Sequence, residues 1–103
     1  LALVTARCLT LIGHAGPVIL EGPFARNRCY RAMLAAVTGS EVRAMKGATG
    51  TSQGAALLAC TQIPPGAQAD VDHPPTGRRG DLMAGYAQDW TSRSTAGALA
   101  VAP

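Results

Sequence analysis

The sequence predicts an α/β fold, because a strand, a helix and a second strand follow one another near its centre. An apolar, partly β-branched run makes Pro17 to Glu21 the first strand, bounded by Gly-Pro pairs. Apolar residues at helical spacing predict a helix over about Asn27 to Val37, with Asn27 as its capping residue. Glu41 to Met45 is the second strand. We expect a parallel β-α-β unit with a right-handed crossover.

A further helix precedes this unit. Residues 1–13 repeat apolar side chains with a period of 3.6 residues, and the pattern ends near Gly13. The apolar positions that share one face are Leu1, Val4, Cys8, Leu11 and Ile12.

The region after the second strand contains two more predicted helices. Ser52 to Cys60 forms the first, and its Gly54-Ala55-Ala56 face would let another backbone approach closely. Residues 61–80 carry two proline pairs and no periodicity, which is typical of an irregular Pro/Gly-rich loop. Residues 81–93 form a C-terminal helix capped by Asp81, and residues 94–103 form a small-residue tail. Residues 1–60 are therefore the domain core. The last helix carries an apolar stripe formed by Leu82, Met83, Tyr86 and Trp90, and we expect Tyr86 and Trp90 to contact the core.

Length and composition indicate one small domain that needs further chain around it. The sequence has 103 residues and four aromatic side chains, and much of its apolar content is alanine, so its own core buries little area. The chain begins at Leu1 within a predicted helix and without an initiator methionine, so we expect a fragment of a longer protein.

Charge and cysteine content exclude several functional classes. The net charge is +3, but the basic residues are scattered and no aromatic platform alternates with them, so no nucleic-acid partner is predicted. Cys8, Cys29 and Cys60 show no CxxC spacing, which predicts neither a disulfide framework nor a zinc site and fits a reducing cytoplasm. No apolar run approaches the roughly 20 residues that span a bilayer, so no membrane partner is expected.

The turn after the first strand is the candidate site. A strand that leads through a tight turn into a helix N-terminus leaves a crevice at its carboxyl end, where open α/β sheets bind ligands. Gly22 can supply a positive φ angle or allow a ligand to approach closely. Arg26 and Arg28 lie where the helix dipole disfavours cations, and we interpret them as surface residues.

Two motifs in this region resemble the C-terminal domain of the FGGY carbohydrate kinases. The first is Gly22-Pro23-Phe24-Ala25-Arg26-Asn27, where the family has Gly-Gly-x-Ala-x-(Asn/Ser). The second is the Ala-Thr-Gly-Thr-Ser-Gln-Gly-Ala-Ala-Leu-Leu-Ala segment over residues 48–59, similar to the family's Ala-Thr-x-x-Gly-Ala-Ala-x-x-Ala helix. The resemblance extends over Pro17 to Cys60.

This resemblance implies a fold and a function. The fold would be part of an actin-like, ribonuclease-H-like ATPase domain. The chain would be the nucleotide-side portion of a sugar or polyol kinase, with ATP and Mg²⁺ as cofactors and the remainder of the kinase chain as partner. Gly22, Pro23 and Asn27 would contact the adenosine end of the nucleotide. Pro23 replaces a family glycine and has no amide hydrogen, so it cannot offer that donor to a phosphate.

Catalysis requires groups that this sequence does not supply. Phosphoryl transfer needs metal-bound phosphates, a positioned hydroxyl and a carboxylate base, and the family's Asp-x-Gly loop and catalytic Asp lie upstream of this segment. We therefore predict no catalytic and no metal-ligating residue here, and an inactive isolated fragment. The alternatives are a non-catalytic α/β nucleotide-binding or regulatory module and a Rossmann-like domain, although no G-x-G-x-x-G follows the first strand. A homo-oligomer is possible, and the sugar is not identifiable.

Overall fold

The computed structural model describes residues 1–47, 50–62 and 68–101, and the predicted α/β class is confirmed in them. Four α-helices and three β-strands alternate along this part of the chain, with one 3-10 turn at Pro23–Arg26. In chain order the elements are α1 (Ala2–Leu11), β1 (Val18–Leu20), α2 (Arg28–Thr38), β2 (Val42–Met45), α3 (Gly50–Leu57), β3 (Ala69–Asp72) and α4 (Gly77–Val101).

The sheet is mixed and has the order β1-β2-β3. Strands β1 and β2 are parallel, with Val18 opposite Val42, and α2 connects them, so the predicted β-α-β unit is confirmed. Strand β3 pairs antiparallel with β2 and places Asp70 opposite Ala44 and Asp72 opposite Val42. The carboxyl ends of β1 and β2 consequently meet at one edge of the sheet, beside the start of β3.

Helix α2 lies at the centre of the packing, with α1, α4 and the sheet around it. Its bounds follow the prediction closely, because Asn27 caps its N-terminus and Gly39 ends it in a left-handed conformation with φ 64°. The hydrophobic cluster is small and rich in alanine, which limits the apolar area it removes from water. Its buried members are Ala2, Ala6, Val18, Leu34, Ala35 and Val42.

The opposite face of the sheet is open in the described part of the chain. Ile19, Arg43 and Val71 lie side by side across the three strands and are all exposed. Parallel strands are usually covered on both faces. The small core expected from the composition thus occupies only one side of this sheet.

Helix α1 forms where predicted, but the apolar face that reveals it in the sequence is not the buried one. Ala2, Leu3 and Ala6 are buried, whereas Leu11 and Ile12 are 70% and 78% exposed. The small side chains of Ala2 and Ala6 allow α1 to approach α2 closely, whereas Val4, Leu11 and Ile12 point away from the core.

The region predicted as a loop over residues 61–80 contains a strand and the start of a helix. Strand β3 has the sequence Ala-Asp-Val-Asp, and aspartate is depleted in strands. Tertiary contacts override that local preference, because Arg31 and Lys46 hold the two aspartates in place. The proline pair at residues 64 and 65 lies outside the described residues.

The predicted C-terminal helix is much longer than residues 81–93, and residues 94–101 are helical instead of forming a tail. Asp81 therefore lies inside α4 and does not cap it. The alanines near the end favour helix, and Ser94 Oγ donates to the carbonyl of Trp90 at 2.8 Å. Tyr86 is 62% exposed, so the core contact predicted for it is wrong, whereas Trp90 is partly buried.

Helix α3 begins two residues before its predicted start and ends three residues early, at Leu57. Its Gly54-Ala55-Ala56 face is exposed, and no described backbone lies near Gly54. The close approach that the small residues would permit is thus not made within the part of the chain that the structure describes.

Two glycines of α4 provide a matched test of how closely the start of this helix packs against the preceding loop. A Cβ at Gly80 would overlap the carbonyl group of Pro75, whereas a Cβ at Gly85 would meet nothing within 4 Å. Gly80→Ala should therefore destabilise the protein by about 1–2 kcal/mol, since overpacking exceeds the gain in helix propensity. Gly85→Ala should stabilise it by about 1 kcal/mol. Urea denaturation of both variants checks this, and equal stabilisation by the two alanines would contradict it.

Candidate functional site

The turn after β1 requires glycine at its first position. Gly22 has φ 79° and ψ −162°, a region that is essentially restricted to glycine. Its carbonyl accepts a hydrogen bond from Ala25 N at 3.1 Å, which closes the 3-10 turn that begins at Pro23. The backbone conformation alone therefore explains Gly22, and it directs the chain across the carboxyl end of β1.

The structure separates the three residues predicted to contact a nucleotide. Gly22 and Pro23 line a cleft of about 630 Å³ at the carboxyl ends of β1 and β2. Asn27 instead lines a groove beside Phe24 and Tyr30, and its Oδ1 accepts from Tyr30 N at 3.0 Å. Asn27 is thus the N-cap of α2, one of its two predicted roles. Its contact with a nucleotide stays a prediction.

Basic side chains dominate the cleft at Gly22 and Pro23. Arg26 comes from the end of the 3-10 turn, Arg28 and Arg31 from the first turn of α2, and Lys46 from the residue after β2. The acidic residue among the lining residues is Asp70. We call this site the cationic cleft and define it by Gly22, Pro23, Arg26, Arg28, Lys46 and Asp70.

Two of the cations are paired within the protein. Lys46 Nζ lies 2.9 Å from Asp70 Oδ1, and this hydrogen bond holds the pKa of the Asp70 carboxyl below its usual value. Arg31 is buried; its Nε donates to Asp72 Oδ2 at 2.6 Å and its Nη1 donates to the Ala25 carbonyl at 3.0 Å. Arg31 thereby ties α2 to both the 3-10 turn and β3.

The other two cations have no such partner. Arg26 and Arg28 form no ion pair with any residue that the structure describes, although the charge of Arg28 contributes to the lowered pKa of Asp70. Helix α2 also has no acidic residue in its first turn, although Arg28 and Arg31 lie there. A cation at a helix N-terminus typically costs about 0.3–1 kcal/mol. A bound anion would offset this unfavourable charge arrangement. Arg26 and Arg28 are both exposed, as predicted for surface residues, and both line the cleft.

Glu21 links this turn to α3. Its carboxylate Oε2 accepts a hydrogen bond from Gly50 N, the first residue of α3, at 2.8 Å. A carboxylate at a helix N-terminus is stabilising, because it meets unpaired amide hydrogens and the positive end of the dipole. An acidic residue directly before the Gly-Pro turn was the sequence signal for this contact.

The positive charge of the cleft favours an anionic ligand over a metal ion. Its one carboxylate is already bonded to Lys46 and surrounded by cations, so the donors present do not fit a Mg²⁺ site. Within residues 1–47, 50–62 and 68–101, no group of three or more acidic, cysteine or histidine side chains could hold a metal. Cys8, Cys29 and Cys60 are exposed free thiols. No described helix has the length and apolarity needed to cross a membrane.

These features define a small α/β domain with a basic crevice at the carboxyl end of two parallel strands. Residues 1–69 match the family model described as carbohydrate kinase FGGY, C-terminal domain. The chain therefore belongs to the FGGY carbohydrate kinase family, which confirms the resemblance seen in its motifs. No curated protein and no solved structure matches the chain.

Proposed function

We propose that this chain is the nucleotide-side portion of an ATP-dependent sugar or polyol kinase, with the actin-like ATPase fold of its family. The observation that carries this proposal is the cationic cleft beside Gly22 and Pro23, at the end of a sheet where α/β domains bind ligands. In the complete enzyme, ATP would supply the γ-phosphoryl group for transfer to a carbohydrate hydroxyl. This chain would bind and orient the nucleotide while the rest of the kinase supplies the base.

The isolated chain should bind adenine nucleotides weakly and should not phosphorylate sugars. The described residues offer a basic cleft, but its one carboxylate is paired with Lys46 and is not placed to act as a base. A coupled assay against a panel of sugars and polyols, with a buffer control, checks this expectation. Turnover above the control would contradict it, and nucleotide binding by a complete but inactive protein would favour a regulatory module.

Asn27→Ala separates the two roles of that residue in a complete kinase that contains this segment. The variant should raise the KM for ATP by roughly 2- to 12-fold, the value of one neutral hydrogen bond, and leave the KM for sugar nearly unchanged. Loss of the cap on Tyr30 N should also lower the free energy of unfolding by about 1 kcal/mol.

Asn27→Ser is the matched control, because serine retains a capping oxygen but removes the side-chain amide. It should restore most of the stability and keep the raised KM for ATP. Two results would leave Asn27 with the capping role alone. One is that Asn27→Ser recovers both the stability and the KM for ATP of the unsubstituted protein. The other is that Asn27→Ala lowers the thermal midpoint and leaves the ATP kinetics unchanged.

A further inference from the structure

We propose that Arg26, Arg28 and Lys46 bind the phosphate groups of the nucleotide, and that Asp70 competes with those phosphates for Lys46. This inference rests on the proposed function for the identity of the ligand. It assigns the basic residues of the cationic cleft to the polyphosphate, beside Gly22 and Pro23, for which the sequence motifs indicate contacts at the adenosine end.

The first argument is the convergence of three cations from separate elements. Arg26 ends the 3-10 turn, Arg28 begins α2, and Lys46 follows β2, yet all three line one cleft. Like charges placed together repel, and neither arginine has an ion-pair partner among the described residues. The three cations are exposed to solvent, and an anion with more than one charge would offset their mutual repulsion. A phosphate chain supplies several charged oxygens for such a contact.

The second argument is the placement of Asp70. Strand β3 fixes this residue opposite Ala44, and the Lys46 amide extends the pairing by donating to the Gln68 carbonyl at 2.9 Å. Asp70 Oδ1 then lies 2.9 Å from Lys46 Nζ, and its Oδ2 lies 3.8 Å from Arg31 Nη1. A carboxylate held in this position occupies Lys46 when no ligand is present, so a phosphate must displace it or share the ammonium group.

The experiment titrates the full chain with pyrophosphate, ATP, adenosine and a sugar phosphate by isothermal calorimetry at low ionic strength. Pyrophosphate and ATP should bind, and adenosine should bind more weakly than ATP. Arg26→Gln and Lys46→Gln should each weaken pyrophosphate binding about 5- to 10-fold, as expected for a half-exposed charge-assisted hydrogen bond. Asp70→Asn should strengthen pyrophosphate binding about 2- to 5-fold, because asparagine keeps the shape of the side chain but removes the negative charge that competes for Lys46.

Arg93→Gln is the matched control. Arg93 lies on α4 and pairs with Asp89, so the substitution makes the same change in net charge outside the cleft. It should leave pyrophosphate binding unchanged. An equal loss of binding in Arg93→Gln would overturn the proposal, since the effect would then come from overall charge. Circular dichroism of each variant confirms that it is folded.

Arg28→Gln adds a readout that general damage to the fold does not produce. It should weaken pyrophosphate binding and at the same time raise the thermal midpoint in phosphate-free buffer, because it removes a cation from the start of α2. A variant that loses binding together with stability would contradict the proposed role of Arg28.

The titrations distinguish a failure of the phosphate assignment from a failure of the proposed nucleotide function. Binding of adenosine without binding of pyrophosphate would overturn the phosphate assignment and leave the proposed nucleotide function intact. Binding of pyrophosphate and the sugar phosphate, with ATP no tighter than either and adenosine not bound, would overturn the nucleotide as the ligand. The pattern of variant effects would then assign the cleft to a phosphorylated sugar.

Discussion

Replacing Leu34 by alanine should lower the free energy of unfolding by about 2–5 kcal/mol. Leu34 is fully buried on α2 and, with Val42, is one of the two largest completely buried side chains that the structure describes. Removing its branched end deletes apolar contacts and leaves a cavity that the surrounding helices fill only in part. Urea denaturation monitored by circular dichroism measures the loss.

Leu82→Ala is the matched control for this prediction. The same atoms are removed from a side chain that is 65% exposed on α4, so the change should lie within about 0.5 kcal/mol of the unsubstituted chain. A loss at Leu82 equal to the loss at Leu34 would contradict the packing described here and would mean that α4 buries its apolar side.

The size of the Leu34 effect follows from the composition of the core. Alanines make up five of the nine hydrophobic residues that are buried in the described part of the chain. The four larger ones are Leu3, Val18, Leu34 and Val42. Natural domains are stable by only about 5–15 kcal/mol, so a small core gives each of its larger side chains a substantial share.

The β-α-β unit could be predicted because its signals are local. Apolar runs between Gly-Pro pairs indicate the first strand, and helical spacing with a cap at Asn27 and a glycine at residue 39 delimits α2. Strand β3 could not be predicted in the same way. Asp70 and Asp72 occupy half of its positions and oppose strand formation locally, and only their pairing with Arg31 and Lys46 makes them acceptable there.

Only part of the candidate site could be predicted from the sequence. The turn at Gly22 and Pro23 is a feature of neighbouring residues, and the structure places it at the edge of the sheet as expected. The cationic cleft, in contrast, joins Arg26 and Arg28 to Lys46 across some 20 residues of chain. Their proximity depends on the register of β1 with β2, which no pattern within a single element specifies.

Replacing Arg31 by methionine should lower the free energy of unfolding by about 2–3 kcal/mol. The variant leaves the Asp72 carboxylate and the Ala25 carbonyl without the donors that lie 2.6 Å and 3.0 Å from them. Removing one partner of a buried ion pair costs about 3–5 kcal/mol, and the partial exposure of Asp72 reduces that figure because water can solvate the carboxylate. Methionine keeps an apolar stem, so the loss reports mainly on charge and hydrogen bonding.

Two further variants isolate the contribution of this ion pair. Arg93→Met breaks a pair with Asp89 that is exposed on both sides, and it should cost less than about 0.5 kcal/mol. Asp72→Asn in the Arg31→Met background should recover part of the lost stability, because it removes the carboxylate that has no partner. Arg31→Met should also weaken pyrophosphate binding, since Arg31 bonds to both the 3-10 turn and β3, and residues of both line the cationic cleft. Unchanged binding in a destabilised Arg31→Met variant would show that the cleft keeps its shape without this tie.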